Sequence, residues 1–461
     1  MKETCLALVC LACVGLAPAQ GDWYTQGDFR PSERMAIIVR NTLDLERFHC
    51  PVTIPRHDFP NPDIHEMWIT IVDPSLSPAG PPGDELLALQ GGHQLREETH
   101  GHAIFHQLDD LDRDGIWDEL FFQVDLKPGE EKTLYAYFGE NIRGWNPHHT
   151  HANVGSYCRH LMPFWESEHV GWKIWFANCV DVYAKREPVL VSPILYMQNR
   201  DGYGISRTDP AYGSDIQGVA GTMGGGAICL FEHPGDPAAI SLPRFTPVHD
   251  EQVPRSLWNA GQISDTRYAY ETVVNGPIRS IIRIKMMNWN SGQGSYELIQ
   301  DYTAYAHQNY SSCRVRYTLF APNKAGVYMG CGIRKKPGEE TLYRDRGVII
   351  SMGPEGIRDP ENIDDRAELE VEFVGKAMVV KDQYEPEYQF VPAHGGNHVF
   401  RINSPSGTSF EYCIFAAWSE GAVLNNPEEF IAYVLKSREE FTHPVVCSFG
   451  GLESPGRQKP R

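Results

Sequence analysis

SYELIQDYTAYAHQNYSSCRVRYTLF, residues 295–320, holds two runs, 295–306 and 313–320, in which apolar and polar side chains alternate. A period of two puts one set of side chains on each face of an extended chain, the mark of a strand with one buried face. The same pattern recurs on both sides. MAIIVRN, MWITIVD, DELFFQVDL, TLYAYFG, VGWKIWF, VDVYAKREPVLVS, AICLFE and RSIIRIKMM precede it; GVIISM, LEVEFVGKAMVV, NHVFRI and SFEYCIFAAW follow. Gly, Pro, Asn and Asp separate the runs, as turns require.

One helix stands against these strands. Asn426 can cap it, Pro427 suits its first position, Glu428 and Glu429 favour its positive end, and Phe430, Tyr433, Val434 and Ser437 follow at helical spacing. The expected fold is all-β, with antiparallel sheets packed face to face in a large sandwich and a short C-terminal helix. Residues 20–140 are expected to form an N-terminal sheet layer and 141–450 the main sandwich, with a disordered tail at 451–461. PPGDELLALQGG, residues 81–92, reads as a loop or insertion in the first layer.

The start of the chain speaks to compartment. Lys2 precedes an apolar run from Cys5 to Ala17, and Ala17-Pro18-Ala19 precedes Gln20, so residues 1–19 read as a cleaved secretory signal. The run falls short of the roughly 20 apolar residues a membrane span needs, and no later stretch reaches that length. A lipoprotein signal using Cys13 has a poor match before the cysteine. The expected protein is secreted or periplasmic, without a membrane partner.

The net charge of −19 is unchanged by loss of one Lys and one Glu with the signal. A field of that sign argues against nucleic acid and anionic membranes. It also weighs against a polyanionic substrate unless a local Arg cluster inverts the potential. The eight cysteines after the signal are scattered without a C-x-x-C pair and read as plain thiols. Nothing in the chain fixes an oligomeric state.

Between the apolar runs at 105–108 and 120–124, six acids and one Arg fill Asp109–Glu119. Asp110, Asp112, Asp114 and Asp118 follow D-x-D-x-D-G-x-x-D, with Gly115 at the turn. Alternate carboxylates and the Ile116 carbonyl can converge on one hard cation, and unneutralised they repel. The twelfth place holds Phe121, so this is not an EF-hand. A structural calcium loop on a hairpin is expected, with a solvated acidic turn as the alternative.

Histidines gather at His100, His102 and His106 and again at His148, His149 and His151, where N-P-H-H-T-H reads as a polar loop rather than a metal site. FWESEHVGWKIW, residues 164–175, brings together Trp165, Glu166, Glu168, His169 and Trp172. Exposed indoles stack on sugars and paired carboxylates serve as acid and base; a half-buried strand with core tryptophans is the bland alternative. The glycine-rich segment 196–226 offers Arg200, Tyr203, Arg207, Tyr212 and Asp215, and its length suits a functional loop.

Three features carry a resemblance: DDLDRDGIWDELFF with LKPGEEKTLYAY, FWESEHVGWKIW with VDVYAKR, and GVAGTMGGGAICLFE. Over roughly residues 35–441 the chain resembles a family of exported bacterial proteins catalogued as a domain of unknown function and encoded among polysaccharide-degradation enzymes. That family often carries a Tyr-His pair ahead of the glycine-rich stretch, where this chain has Tyr196-Met197-Gln198. ETVVNGPIRSIIRIKM with YELIQDYTAYAHQNYSSCRVRYTLF is similar to the supersandwich of galactose mutarotases and several polysaccharide lyases. The resemblance implies a sugar-handling cleft on a concave sheet.

The expectation that follows is a carbohydrate-active protein that cleaves an acidic oligosaccharide by β-elimination at a uronate. Arg200 and Arg207 would neutralise the sugar carboxylate, and Tyr203 and Tyr212 would serve as base and acid. Trp165, Glu166, Trp172 and Asp215 would bind substrate. A hydrolase or epimerase in which Glu166 and Glu168 are joined by Asp209 or Asp215, working as a carboxylate pair or with His169, is the alternative, as is a sugar-binding sandwich without catalysis.

Overall fold

The computed structural model describes residues 23–26, 29–77, 98–140, 147–157, 160–175, 179–196, 204–219, 222–233, 235–236, 238–243, 266–358, 368–393, 395–404 and 407–455. The expected signal, the insertion at 81–92, Arg200, Tyr203, Cys158 and the tail beyond 455 lie outside the described residues.

The strands pair antiparallel, as expected of an all-β sandwich. The largest sheet has eight strands in the order 267–275, 279–290, 294–305, 310–322, 409–418, 369–380, 348–357, 341–345. The quoted stretch supplies two neighbours at its centre, Gly294–Tyr305 and Tyr310–Pro322, joined by the short turn 306–309. A five-stranded sheet beginning Thr150–Tyr157, His160–Ser167, Val170–Trp175, Cys179–Lys185 and a four-stranded sheet containing Ala227–Phe231 cover one face of it. The main core lies between them, where Ile282, Ile284, Leu298, Tyr302, Val315 and Ile414 meet Trp165, Trp172 and Val182.

The other face of the large sheet carries the helix Pro427–Thr442, which begins where expected: Asn426 Oδ1 accepts from the Glu429 N–H at 2.9 Å. Phe430 and Val434 bury against Phe373, Ala377 and Val379, each contributing about 1.5–3 kcal/mol of transfer free energy. Among the described residues, no helix is long and apolar enough to cross a membrane.

The N-terminal layer is a smaller sandwich. A sheet built on Glu33–Arg40, Glu131–Phe138 and Ile69–Asp73 packs its Ile37, Leu134 and Ile71 against Val52, Leu120 and Phe122 of a three-stranded sheet. Its outer strand is Val446–Glu453, paired with Glu33–Arg40. The chain therefore returns to its first layer after the helix, and the boundary expected at 450 gives way to a C-terminal strand that belongs with the N-terminus. That strand was not legible because Val446, Phe449 and Leu452 are widely spaced among small and polar residues.

The glycines at 213 and 224–226 have a packing reason. A Cβ on Gly213 (φ +141°) would stand 1.9 Å from the Ala184 carbonyl oxygen, and one on Gly224 (φ +56°) 2.2 Å from that of Val180. Glycine lets this segment lie directly on the strand Cys179–Lys185. All seven described cysteines are free, and all but the half-buried Cys447 are buried.

Candidate metal centre and flanking sites

Segments from three sheets meet at one place. The turn after His160–Ser167 presents Glu168, 6% exposed, and His169. His149 leads into the strand Thr150–Tyr157, a stretch expected to be loop. His307 occupies the turn between Gly294–Tyr305 and Tyr310–Pro322. His49 comes from the N-terminal layer, at a bulge of the strand Arg47–Pro55.

Glu168 is the hub. Its Oε1 lies 2.5 Å from Nδ1 of His307 and 3.6 Å from Nδ1 of His149. Both its oxygens accept from the His307 backbone N–H, at 3.1 and 3.2 Å. The Glu168 N–H donates to the His149 carbonyl at 3.0 Å. The ring of His307 packs at a tilt against those of His49, at 4.2 Å, and His149, at 4.7 Å, with His169 at 6.5 Å.

The backbone here is strained. His49 has φ +48° and His307 φ +62°, left-handed values that cost a β-branched or bulky residue energy and that cluster at functional sites. The surroundings fix both. The His49 N–H donates to Asp125 Oδ1 at 2.8 Å, and its carbonyl accepts from Gln123 and Gln308. Gln308 and Asn309 are tied to the Tyr433 hydroxyl on the C-terminal helix, at 2.8 and 2.9 Å.

Burial pushes the Glu168 carboxyl up, but hydrogen bonds from His149 and His307 and the charge of His169 outweigh it and hold the group well below the usual carboxylate range. Burial pushes His49 and His169 down, and the neighbouring His307 adds to both. His169 Nδ1 meets Asn309 Oδ1 at 3.0 Å; an Nδ1–H donated there leaves the Nε2 lone pair as a base.

His149, Glu168 and His307 each offer one donor atom, all within 4.8 Å of one another. Two imidazoles and one carboxylate suit a divalent first-row transition ion, and His49 and His169 stand beside them. The donor set fits such an ion.

In the acidic loop, carboxylate oxygens of Asp110, Asp112 and Asp118 lie within the same span of one another. Gly115 turns with φ +88°. Asp114 points elsewhere, its Oδ1 accepting from the Ile116 N–H at 2.7 Å, and the Ile116 side chain is exposed. Three of the four expected carboxylates thus converge.

The indoles of Trp165 and Trp172 are fully buried, so neither presents a stacking face to a sugar. Trp165 packs on Tyr302 and donates to Ser311 Oγ at 2.9 Å. The alternation of the strand turns both rings inward, which corrects their expected binding role. Glu166, also fully buried, pairs with Lys185 and accepts from the Val191 and Ser192 N–H groups at 2.9 and 2.7 Å; it is a structural anchor. Asp215 shares buried Lys173 with Asp181, at 2.8 and 3.4 Å. Tyr212 packs beside the small cluster of Phe164 and Tyr183, and Arg207 is half-buried. His102 and His106 lie on strands of the N-terminal layer. Sequence reasoning reached Glu168 and His169 but not His49 or His307, which are single histidines outside the strand-like runs with no motif around them.

The search of curated proteins returns no match. Among solved structures the chain is similar to a protein of glycosyl hydrolase family 38 from Enterococcus faecalis, at 8% identity and a TM-score of 0.45, over 91% of this chain and 47% of that one. It is also similar to an alpha-mannosidase from Enterococcus faecalis V583, at 11% identity and 0.45, over 91% and 46%. The chain spans about half the length of those two proteins, and a TM-score below 0.5 carries no activity across. The family match is extensive: over residues 39–447 the chain fits, and so belongs to, the family described as a domain of unknown function, DUF4861.

Proposed function

We propose that this chain is a metal-dependent, exported, carbohydrate-active enzyme that cleaves an acidic oligosaccharide by β-elimination at a uronate. The observation that carries the reading is the convergence of His149, Glu168 and His307 on one point, beside two histidines, with His49 and His307 held in strained backbone. The carbohydrate class rests on the family resemblance of the sequence motifs.

A divalent cation bound by His149, Glu168 and His307 would supply a Lewis acid for the uronate carboxylate. His169 then takes the C5 proton on Nε2, with Asn309 holding the ring by Nδ1. The C5–H electron pair becomes the C4–C5 double bond, the C4–O bond breaks, and the leaving oxygen takes a proton. Tyr203 of the loop 196–226 supplies that proton in this reading. The three convergent carboxylates of Asp110, Asp112 and Asp118 support a calcium ion that stiffens the hairpin.

The test is near-ultraviolet absorbance of the conjugated double bond, followed while metal-loaded protein meets a panel of uronate oligosaccharides. A rise that chelation abolishes supports the reading. New reducing ends without that absorbance would replace elimination with hydrolysis, and unchanged substrate across the panel would remove catalysis.

A further inference from the structure

The face of the eight-stranded sheet turned away from the main core carries a row of charges. In register across five neighbouring strands stand Glu271, Arg283, Asp301, Arg314 and Glu411. Lys381, just past the Val380–Tyr412 pair, extends the row by an ion pair to Glu411. The signs alternate at every step. Arg283 meets Asp301 at 2.7 Å, and Arg314 meets Glu411 at 3.2 Å through Nε alone. Directly opposed unlike charges stabilise a sheet by only about 0.2–1 kcal/mol per pair, a small return for six charged residues on one row.

Above this row lies a cavity of about 240 Å³, roofed by Arg47 and Cys50 of the N-terminal layer and by Glu440 and Phe441 at the end of the helix. Its lining includes five cationic and four acidic side chains, a local excess of positive charge in a chain of net charge −19. Arg47 is the telling member. It is 1% exposed and donates to Asn41, Cys50 and the His443 carbonyl; among the described residues no carboxylate lies within ion-pair distance of it. Glu440 pairs instead with Lys436, at 3.5 Å. The Arg314 side chain is 59% exposed, and among the described residues its two terminal amino groups have no partner.

A buried guanidinium that forms no ion pair among the described residues and a second one open to the same space form a seat for a carboxylate. The alternating acids beside them accept hydroxyl protons, and Tyr305, Tyr310 and Phe441 line the wall. The size falls below the about 300–1,000 Å³ of sites for drug-sized ligands, which suits one or two sugar rings. Two elements are common to the cavity and the metal centre. His49 lies between Arg47 and Cys50 on one strand, and His307 follows Tyr305 in one hairpin.

We propose that this cavity is an anionic-sugar subsite, in which Arg47 and Arg314 receive a uronate carboxylate and Asp301 and Glu411 accept its hydroxyls. The proposal rests on the carbohydrate reading above and names the part of the substrate that gives affinity.

The experiment is calorimetric titration of the full mature chain after chelation, so that binding is read without turnover. The probes are trigalacturonate, a glucuronate-containing trisaccharide and an alginate trisaccharide, each beside its methyl-esterified neutral form. At least one acid should bind at least tenfold more tightly than its ester. Arg314→Ala should weaken it at least tenfold with an unchanged melting temperature, and Arg314→Lys should restore part of the loss. Equal affinity of Arg314→Ala and wild type, or no binding by any acid probe, would overturn the subsite. Turnover by the metal-loaded chain without binding that depends on Arg314 leaves the enzyme reading standing and removes this cavity. Binding without turnover does the reverse.

Discussion

The Glu168 carboxylate meets His307 twice: Oε1 is 2.5 Å from the ring Nδ1, and the same oxygen accepts from the backbone N–H at 3.1 Å. A side chain that anchors both the ring and the left-handed backbone of one histidine fixes that ring before any ligand arrives. Preorganisation of this kind limits what a metal has to arrange on binding.

Metal content tests the centre. The wild-type chain, loaded and desalted, should carry one transition ion beyond any calcium, and Glu168→Ala or His149→Ala should lower affinity by at least about 100-fold. Mass-spectrometric metal analysis of the three proteins decides it. Full occupancy in Glu168→Ala would rule this ligand set out.

Calcium is expected to act on the hairpin alone. With calcium present, Asp112→Ala should melt at a lower temperature than wild type; with chelator, the two should coincide. A difference that persists without calcium would make the loop an acidic turn with local hydrogen bonds only.

Trp165 is expected to matter for stability and not for sugar contact. Trp165→Ala should cost about 3–5 kcal/mol in denaturant unfolding. Trp165→Phe keeps most of the apolar volume but removes the donor to Ser311, and should cost less. Any activity per folded molecule should survive in Trp165→Phe; its selective loss would return the indole to the binding site.

Lys376 gives a pH dependence. It is buried in the strand Leu369–Val380, with Nζ 3.2 Å from the Arg334 carbonyl. Burial, reinforced by the charges of Arg334 and Lys336, pushes it down to about 7. The unfolded chain therefore binds one more proton than the folded one between about pH 7 and the ordinary lysine value of 10.5, so this residue makes stability rise with pH across that window. Lys376→Met should stabilise the protein at pH 7 by on the order of a few kcal/mol and flatten the rise. Urea unfolding at several pH values measures both, and an unchanged slope would assign it to other groups.

Local signals carried the fold. Alternation over 295–306 and 313–320, and the Asn426-Pro427-Glu428-Glu429 start of the helix, are written in neighbouring residues, and the structure follows them. The spacing of Asp110, Asp112 and Asp118 was legible for the same reason, since one short loop brings them together. What the sequence left open depends on which turns meet. His49, His149, Glu168 and His307 lie far apart in the chain, and only the packing of the N-terminal layer against two sheets of the main sandwich brings their rings and the carboxylate into one cluster. The same holds for Trp165 and Trp172, whose alternation names a face but not whether that face is covered; the eight-stranded sheet covers it. The charged row from Glu271 to Lys381 is likewise a product of strand register, because each strand contributes one residue and pairing alone aligns their signs.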